Sequence, residues 1–171
     1  MPEPLKNSLT VRCSCGRVQL EAAGAPIISL ACHCDDCQAG SLAVEALPGA
    51  APVRDAAGGT PYVLYRKDRV TCIEGATLLK SYKLKDISAT NRIVATCCNA
   101  AMTMGFDDSR HWVSMYRARF ETDVPPLEMR ICTKFKAGDS VIPDDLPAYP
   151  GFPLKFMAKL VAAWIPMLLR R

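Results

Sequence analysis

Cys32-His33-Cys34-Asp35-Asp36-Cys37 puts three thiols within six residues. Side chains alternate in an extended segment, so Cys32 and Cys34 share a side. Asp35-Asp36 then reads as a turn that brings Cys37 round to them. Three thiolates converging in this way can share one ion, and three protein ligands with a fourth position open is the arrangement of catalytic zinc. Zinc so held acts as a Lewis acid or activates a bound thiolate or water. His33, between two of the thiols, should point the other way, where it can steady a ligand or meet a substrate. Gln38, next along, is a second candidate for substrate contact.

Two further thiol pairs flank this run. Cys13-Ser14-Cys15-Gly16 repeats the alternation, with Cys13 and Cys15 on one side and Gly16 free to take a tight turn. Cys97-Cys98-Asn99 follows a strand-like segment ending near Ala95. Adjacent thiols face opposite ways in a strand, so both reach one ion only from a turn, and Asn99 suits the left-handed conformation of such a turn. A vicinal disulfide is the alternative for Cys97-Cys98. Cys72 and Cys132 stand singly in apolar, strand-like contexts (70–73 and 131–135) and read as small buried hydrophobes.

The chain has 171 residues, enough for one domain with a real core, and is 50% hydrophobic and 22% charged. Its net charge of +4 comes without a Lys/Arg stripe or interleaved aromatics, so nucleic acid is not an expected partner. Residues 1–10 hold no apolar run of signal-peptide length, and the protein is read as cytosolic. In a reducing compartment nine cysteines, an odd number, point to metal, chemistry or burial rather than to paired disulfides. No Gly-rich phosphate loop, Ser-His-Asp spacing or nucleotide fingerprint is present. The second histidine, His111, precedes Trp112 in a strand-like segment and reads as packed or at the surface.

Segments rich in β-branched and aromatic residues at 9–13, 17–21, 27–32, 62–66, 70–73, 78–84, 92–95 and 111–116 are predicted strands. Turn signals at Gly24, Pro26, Pro48-Gly49, Gly58-Gly59, Gly75 and Asp107-Asp108 separate them. Many short strands favour a mainly β domain of folded, all-antiparallel sheets. Pro143, Pro147, Pro150 and Pro153 mark a linker. Beyond it Leu154, Met157, Leu160, Val161, Trp164 and Leu168 share one helical face over 154–171, and Arg170-Arg171 suit the negative end of that helix. Pro166 should kink it or end its regular part. Packing of this helix back on the domain is favoured over a dimer contact or a membrane-surface role.

Taken together, Cys13-x-Cys15-Gly16-x-Val18, Cys32-His33-Cys34-x-x-Cys37 and the segment from Arg92 through Cys98 resemble the glutathione-dependent formaldehyde-activating enzyme (GFA) and centromere protein V family, in an uncharacterised bacterial branch. The run Cys34-Asp35-Asp36-Cys37-Gln38, with Gly58-Gly59-Thr60 and Cys97-Cys98-Asn99, carries the likeness furthest. The resemblance covers about residues 9 to 118. It implies an Mss4-like fold with up to two zinc ions, one structural on Cys13, Cys15 and Cys98, one associated with catalysis on Cys32, Cys34 and Cys37. It also implies carbon-sulfur lyase chemistry on adducts of glutathione with small aldehydes. The chain divides accordingly into a tail (1–8), a GFA-like zinc-binding β domain (9–120), a Pro-rich extension (121–153) and a C-terminal amphipathic helix (154–171).

One departure bears on the structural site. The family motif is Cys-x-x-Cys-Gly, and here its first cysteine is Ala95 and its glycine Asn99. Cys97 as replacement fourth ligand is favoured, since structural zinc is almost always four-coordinate. A three-coordinate site completed from outside, or an empty one, are the alternatives. For function, three readings stand: a zinc-dependent lyase acting on a thiol/aldehyde substrate, a non-catalytic zinc-stabilised binding or structural module, and metal storage or redox sensing.

Overall fold

The computed structural model describes residues 7–169. Ten strands and two helices follow in order: β1 (Ser8–Arg12), β2 (Gln19–Ala23), β3 (Ile28–Cys32), α1 (Asp35–Glu45), β4 (Thr60–Arg66), β5 (Val70–Glu74), β6 (Leu79–Tyr82), β7 (Thr90–Ala95), β8 (Ala100–Phe106), β9 (Trp112–Tyr116), β10 (Met129–Ile131) and α2 (Leu154–Leu168). They form a three-stranded sheet, β1-β2-β5, and a seven-stranded sheet, β10-β3-β4-β9-β8-β7-β6.

Strand β4 explains the layering. Its side chains alternate with period two. Tyr62 and Leu64 enter one core with Ile28, Leu30, Val44, Phe156 and Leu160. Val63 and Tyr65 enter a second core with Val11, Leu20 and Ala22 of the small sheet. The large sheet is therefore covered by both helices on one face and by the small sheet on the other. That is why its inner strand β3 is buried at every position.

The architecture is mainly β, Mss4-like, with two sheets and a C-terminal helix, and it differs from the sequence reading in four respects. Strand β10 pairs with β3 in parallel, Ile131 opposite Cys32, so the sheets are not wholly antiparallel. Strand β8 was not predicted; apart from Thr103 its Ala-Met-Gly-rich sequence lacks the β-branched residues that mark strands. Asp35-Asp36 is no loop turn but the first turn of α1. That helix buries Cys37, Gly40, Ser41 and Val44, a stripe of helical spacing made mostly of small residues. Helix α2 does pack on the domain, but through Phe156 and Leu160. Leu154, Met157, Val161 and Leu168 of the expected face remain exposed. The helix also runs through Pro166 to Leu168. The expected role of Arg170-Arg171 lies outside the described residues.

The Pro-rich segment is tied down rather than loose. Arg130 N–H donates to Pro147 O at 2.9 Å and Tyr149 N–H to Arg130 O at 2.9 Å, so this segment lies along the otherwise open edge of β10. The buried Arg130 guanidinium adds ion pairs to Asp55 and Asp145.

Helix α1 rests on a buried cation. Arg92 of β7 is fully buried, and its Nη2 donates to Asp36 O at 2.8 Å and to Asp36 Oδ2 at 3.0 Å. The guanidinium lies so close to Gly40 that a Cβ there would stand 1.9 Å from Arg92 Cζ. Gly40→Ala should therefore destabilise the protein by about 1–3 kcal/mol through overpacking. That outweighs the gain of about 1 kcal/mol that alanine brings to a helix. Gly151→Ala, where a Cβ meets nothing within 4 Å, is the control expected to be near neutral in urea unfolding.

Candidate metal centres

Cys13, Cys15, Cys97 and Cys98 come from two turns, and all four sulfurs lie within 4.8 Å of one another. The first turn links β1 to β2. Gly16 N–H donates to Cys13 O at 3.0 Å, Gly16 holds φ +80°, and Val18 N–H donates to Cys13 Sγ at 3.2 Å. Cys15 thus projects from a turn, not from the extended segment expected. The second turn, between β7 and β8, has Asn99 at φ +54°, the left-handed conformation its sequence suggested.

Donor geometry fits a tetrahedral ion. Zn–S bonds of about 2.3 Å at tetrahedral angles set sulfurs about 3.8 Å apart. Cys13 lies 3.6 Å from Cys15 and 3.8 Å from Cys97, and Cys97 lies 4.0 Å from Cys98. Positive charge surrounds the group. Hydrogen bonds from Arg17 N–H, from the Cys97 thiol and from the Arg17 side chain draw Cys15 down to about 6. Arg119, buried, donates to Ser14 Oγ at 2.8 Å within the first turn.

Cys32, Cys34 and Cys37 form the second group, again with all sulfurs within 4.8 Å of one another. Strand β3 delivers Cys32. Cys34 is the N-cap of α1, its Sγ accepting from Cys37 N–H at 3.4 Å, and Cys37 sits in the first turn. A helix N-terminus favours thiolate. Hydrogen bonds from the Cys32 and Cys37 thiols, then from Cys37 and Asp36 N–H, hold Cys34 at about 3. Cys32 is pushed up by sharing its proton with Cys132, Cys34 and Cys37. This cluster keeps one thiolate readily and resists a second, and a divalent ion would supply the missing positive charge.

The three sulfurs line a cavity of about 240 Å³ with Tyr62, Met104, Phe106, Trp112 and Phe156, among others. Tyr62 is fully buried, and its hydroxyl has no hydrogen-bond partner. Its ring lies 5.0 Å from that of Tyr116, whose hydroxyl is equally unpaired, as are two nitrogens of Arg92.

The other expected contacts fall elsewhere. His33 is fully buried against Gly59, with both ring nitrogens unpartnered, and does not line the cavity. Burial lowers its pKa and leaves it neutral. Gln38 Nε2 donates to His33 O at 2.5 Å and to Phe135 O at 2.6 Å, a tie between chain segments. His111 bonds Leu160 O at 2.8 Å and stacks on Trp164, anchoring α2. Cys72 is only half-buried, with its thiol on Glu74 O. Cys132 is buried in the core, with its thiol beside that of Cys32. Nothing in its isolated position in the sequence signalled this.

A two-sheet β protein with two thiol clusters, each able to hold a metal ion, is the class that fold and sites define. The family model for the glutathione-dependent formaldehyde-activating enzyme matches residues 8–125. The chain belongs to that family. No curated protein matches it. Among solved structures, a Rhodobacter sphaeroides protein aligns at 13% identity with a TM-score of 0.47, covering 82% of this chain and 99% of that one.

Elemental analysis of purified protein should find two zinc ions per chain, one lost in Cys98→Ser and the other in Cys34→Ser. A chain that binds no zinc would remove the basis for both sites.

Proposed function

We propose that this protein is a zinc-dependent carbon-sulfur lyase that makes and breaks thiol adducts of small aldehydes. The carrying observation is a contrast between the clusters. Four thiols at Cys13, Cys15, Cys97 and Cys98 can complete a tetrahedron by themselves, as structural zinc requires. Cys32, Cys34 and Cys37 offer three, and they floor a cavity. Zinc held there would keep a substrate thiol ionised at neutral pH.

The chain's own groups supply the rest. The substrate sulfur attacks the aldehyde carbon, a C–S bond forms, and the carbonyl π pair moves onto oxygen. That oxygen takes a proton, giving the neutral hydroxyalkyl thioether; the lyase direction reverses each move. Tyr62 would donate a hydrogen bond to that oxygen: burial raises its pKa, so its hydroxyl stays protonated, and it stands beside Cys37 and Tyr116. The proton the adduct takes is the one the substrate thiol releases on binding. Arg92 and α1 keep Cys37 and Asp36 in place. The walls of the cavity are mostly carbon, from Leu30, Leu64, Met104 and Trp112.

One observation favours the non-catalytic reading. The Cys132 thiol lies beside Cys32 and would be the fourth donor of a closed, structural site. Yet Cys132 does not line the cavity that the other three share. Cys132→Ser separates the readings. A lyase with an open site keeps its zinc and its turnover; a closed structural site loses zinc and stability.

The direct test is the rate of thiol–formaldehyde adduct formation by exchange NMR, over the uncatalysed rate. Zinc-loaded protein should accelerate it, Cys34→Ser should not, and Tyr62→Phe should lose about 10²-fold in kcat with its zinc retained. No acceleration by the zinc-loaded protein with any thiol would end the lyase reading.

A further inference from the structure

The family match ends at residue 125, but the cavity does not. Ile131, Phe152 and Phe156 also line it, the latter two from the Pro-rich segment and the first turn of α2. Phe156 is buried while Phe152 is 62% exposed at the rim, and their rings stack 6.0 Å apart at 23°. Both are firmly held. Cys132 N–H bonds Gly151 O, Lys159 pairs with Glu128, and His111 bonds Leu160 O. Across from them stand Phe106 and Trp112, edge to face at 5.8 Å.

The charges at this cavity are already committed. Arg110 lies over the Phe106 ring at 3.8 Å and pairs with Asp108 at 3.2 Å. Asp36 is bound by Arg92. A peptide thiol such as glutathione would bring carboxylates that meet carbon walls and the Asp36 carboxylate. Among the described residues lining the cavity the one cation, Arg110, is already paired with Asp108. An alkyl or arylalkyl group would instead bury apolar surface, each methylene adding about fourfold to affinity.

Resting on the open three-thiol site of the lyase reading, we propose that the segment beyond residue 125 fits that site to a small apolar thiol and its aldehyde adduct, and against glutathione. The thiol's sulfur would meet the site of Cys32, Cys34 and Cys37, its hydrocarbon would lie between Trp112 and Phe156, and the adduct oxygen would accept from Tyr62.

Calorimetric titration of the zinc-loaded protein with benzyl mercaptan and with glutathione tests this without relying on turnover. Benzyl mercaptan should bind at least about tenfold tighter. Phe152→Lys, a change at an exposed rim position that leaves the core intact, should narrow or invert that ratio. Phe156→Leu should weaken benzyl mercaptan while leaving glutathione unchanged. Glutathione binding as tightly as benzyl mercaptan, or a ratio unmoved by Phe152→Lys, overturns the proposal and leaves the lyase reading standing. Tight benzyl mercaptan binding without adduct formation upholds the proposal and removes the lyase reading. Binding of neither thiol to protein carrying both zincs overturns both.

Discussion

A single hydrogen bond, from Cys37 N–H to Cys34 Sγ, makes one thiol both the cap of α1 and a member of the three-thiol group. It satisfies one of the first N–H groups of the helix, which have no partner within the helix itself. Serine or aspartate is the usual cap. A cysteine in that place ties the position of the sulfur to the existence of the helix. Strand β3, held between β4 and β10, sets Cys32 at the other end of the same short crossover. The site is thus as rigid as the two elements that meet there, and an ion entering it would find its donors already gathered.

Arginine is the second constraint, used differently at the two clusters. Arg119 and Arg17 lie beside the four-thiol group, where an ion with four thiolates would carry net negative charge. Arg92 lies one residue from Cys37 through Asp36, but its charge is shared with that carboxylate, and it sits beneath the helix rather than beside the sulfurs. Three thiolates on a divalent ion leave less negative charge to balance. The polar atoms left unpaired behind Cys37, on Tyr62, Tyr116 and Arg92, are costly in a finished core. Such groups are retained where a ligand or water supplies the missing partner, and a cavity adjoins them here.

The strands rich in β-branched and aromatic residues were legible because those side chains are the ones that fill the two cores, as Tyr62, Val63, Leu64 and Tyr65 of β4 illustrate. The rest was hidden for physical reasons. Helix α1 buries a stripe of Cys, Gly, Ser and Val, chosen for closeness to Arg92 rather than for hydrophobicity, and its cap is a thiol. Strand β8 relies on burial between β7 and β9, which Ala and Met serve without advertising a strand. In α2 the large apolar residues nearly encircle the helix, so their pattern could not say that Phe156 and Leu160 face inward. At the sites, the spacing of the cysteines in short motifs was enough to nominate seven of them. Cys132 was invisible because its neighbour, Cys32, is a hundred residues away and adjacent only through the parallel pairing of β10 with β3.

That pairing also explains how a region outside the family match can shape the site within it. Strand β10 is short, yet it adds to the edge of the sheet nearest Cys32, and everything after it is hung from that edge. The Pro-rich segment pairs along β10, because prolines lacking N–H groups can still accept through their carbonyls, as Pro147 does. It therefore emerges beside the cavity, and α2 starts where Phe152 and Phe156 can form a wall. The exposed apolar residues farther along α2 share no part in this wall, and Trp164 among them stacks on His111 instead. The cysteines and their arginines are drawn from the family's own portion of the chain, whereas the aromatic wall at Phe152 and Phe156 is drawn from the extension. On the proposed reading, chemistry and selectivity are carried by separate lengths of sequence, joined through the pairing of β3 with β10 as well as at the cavity.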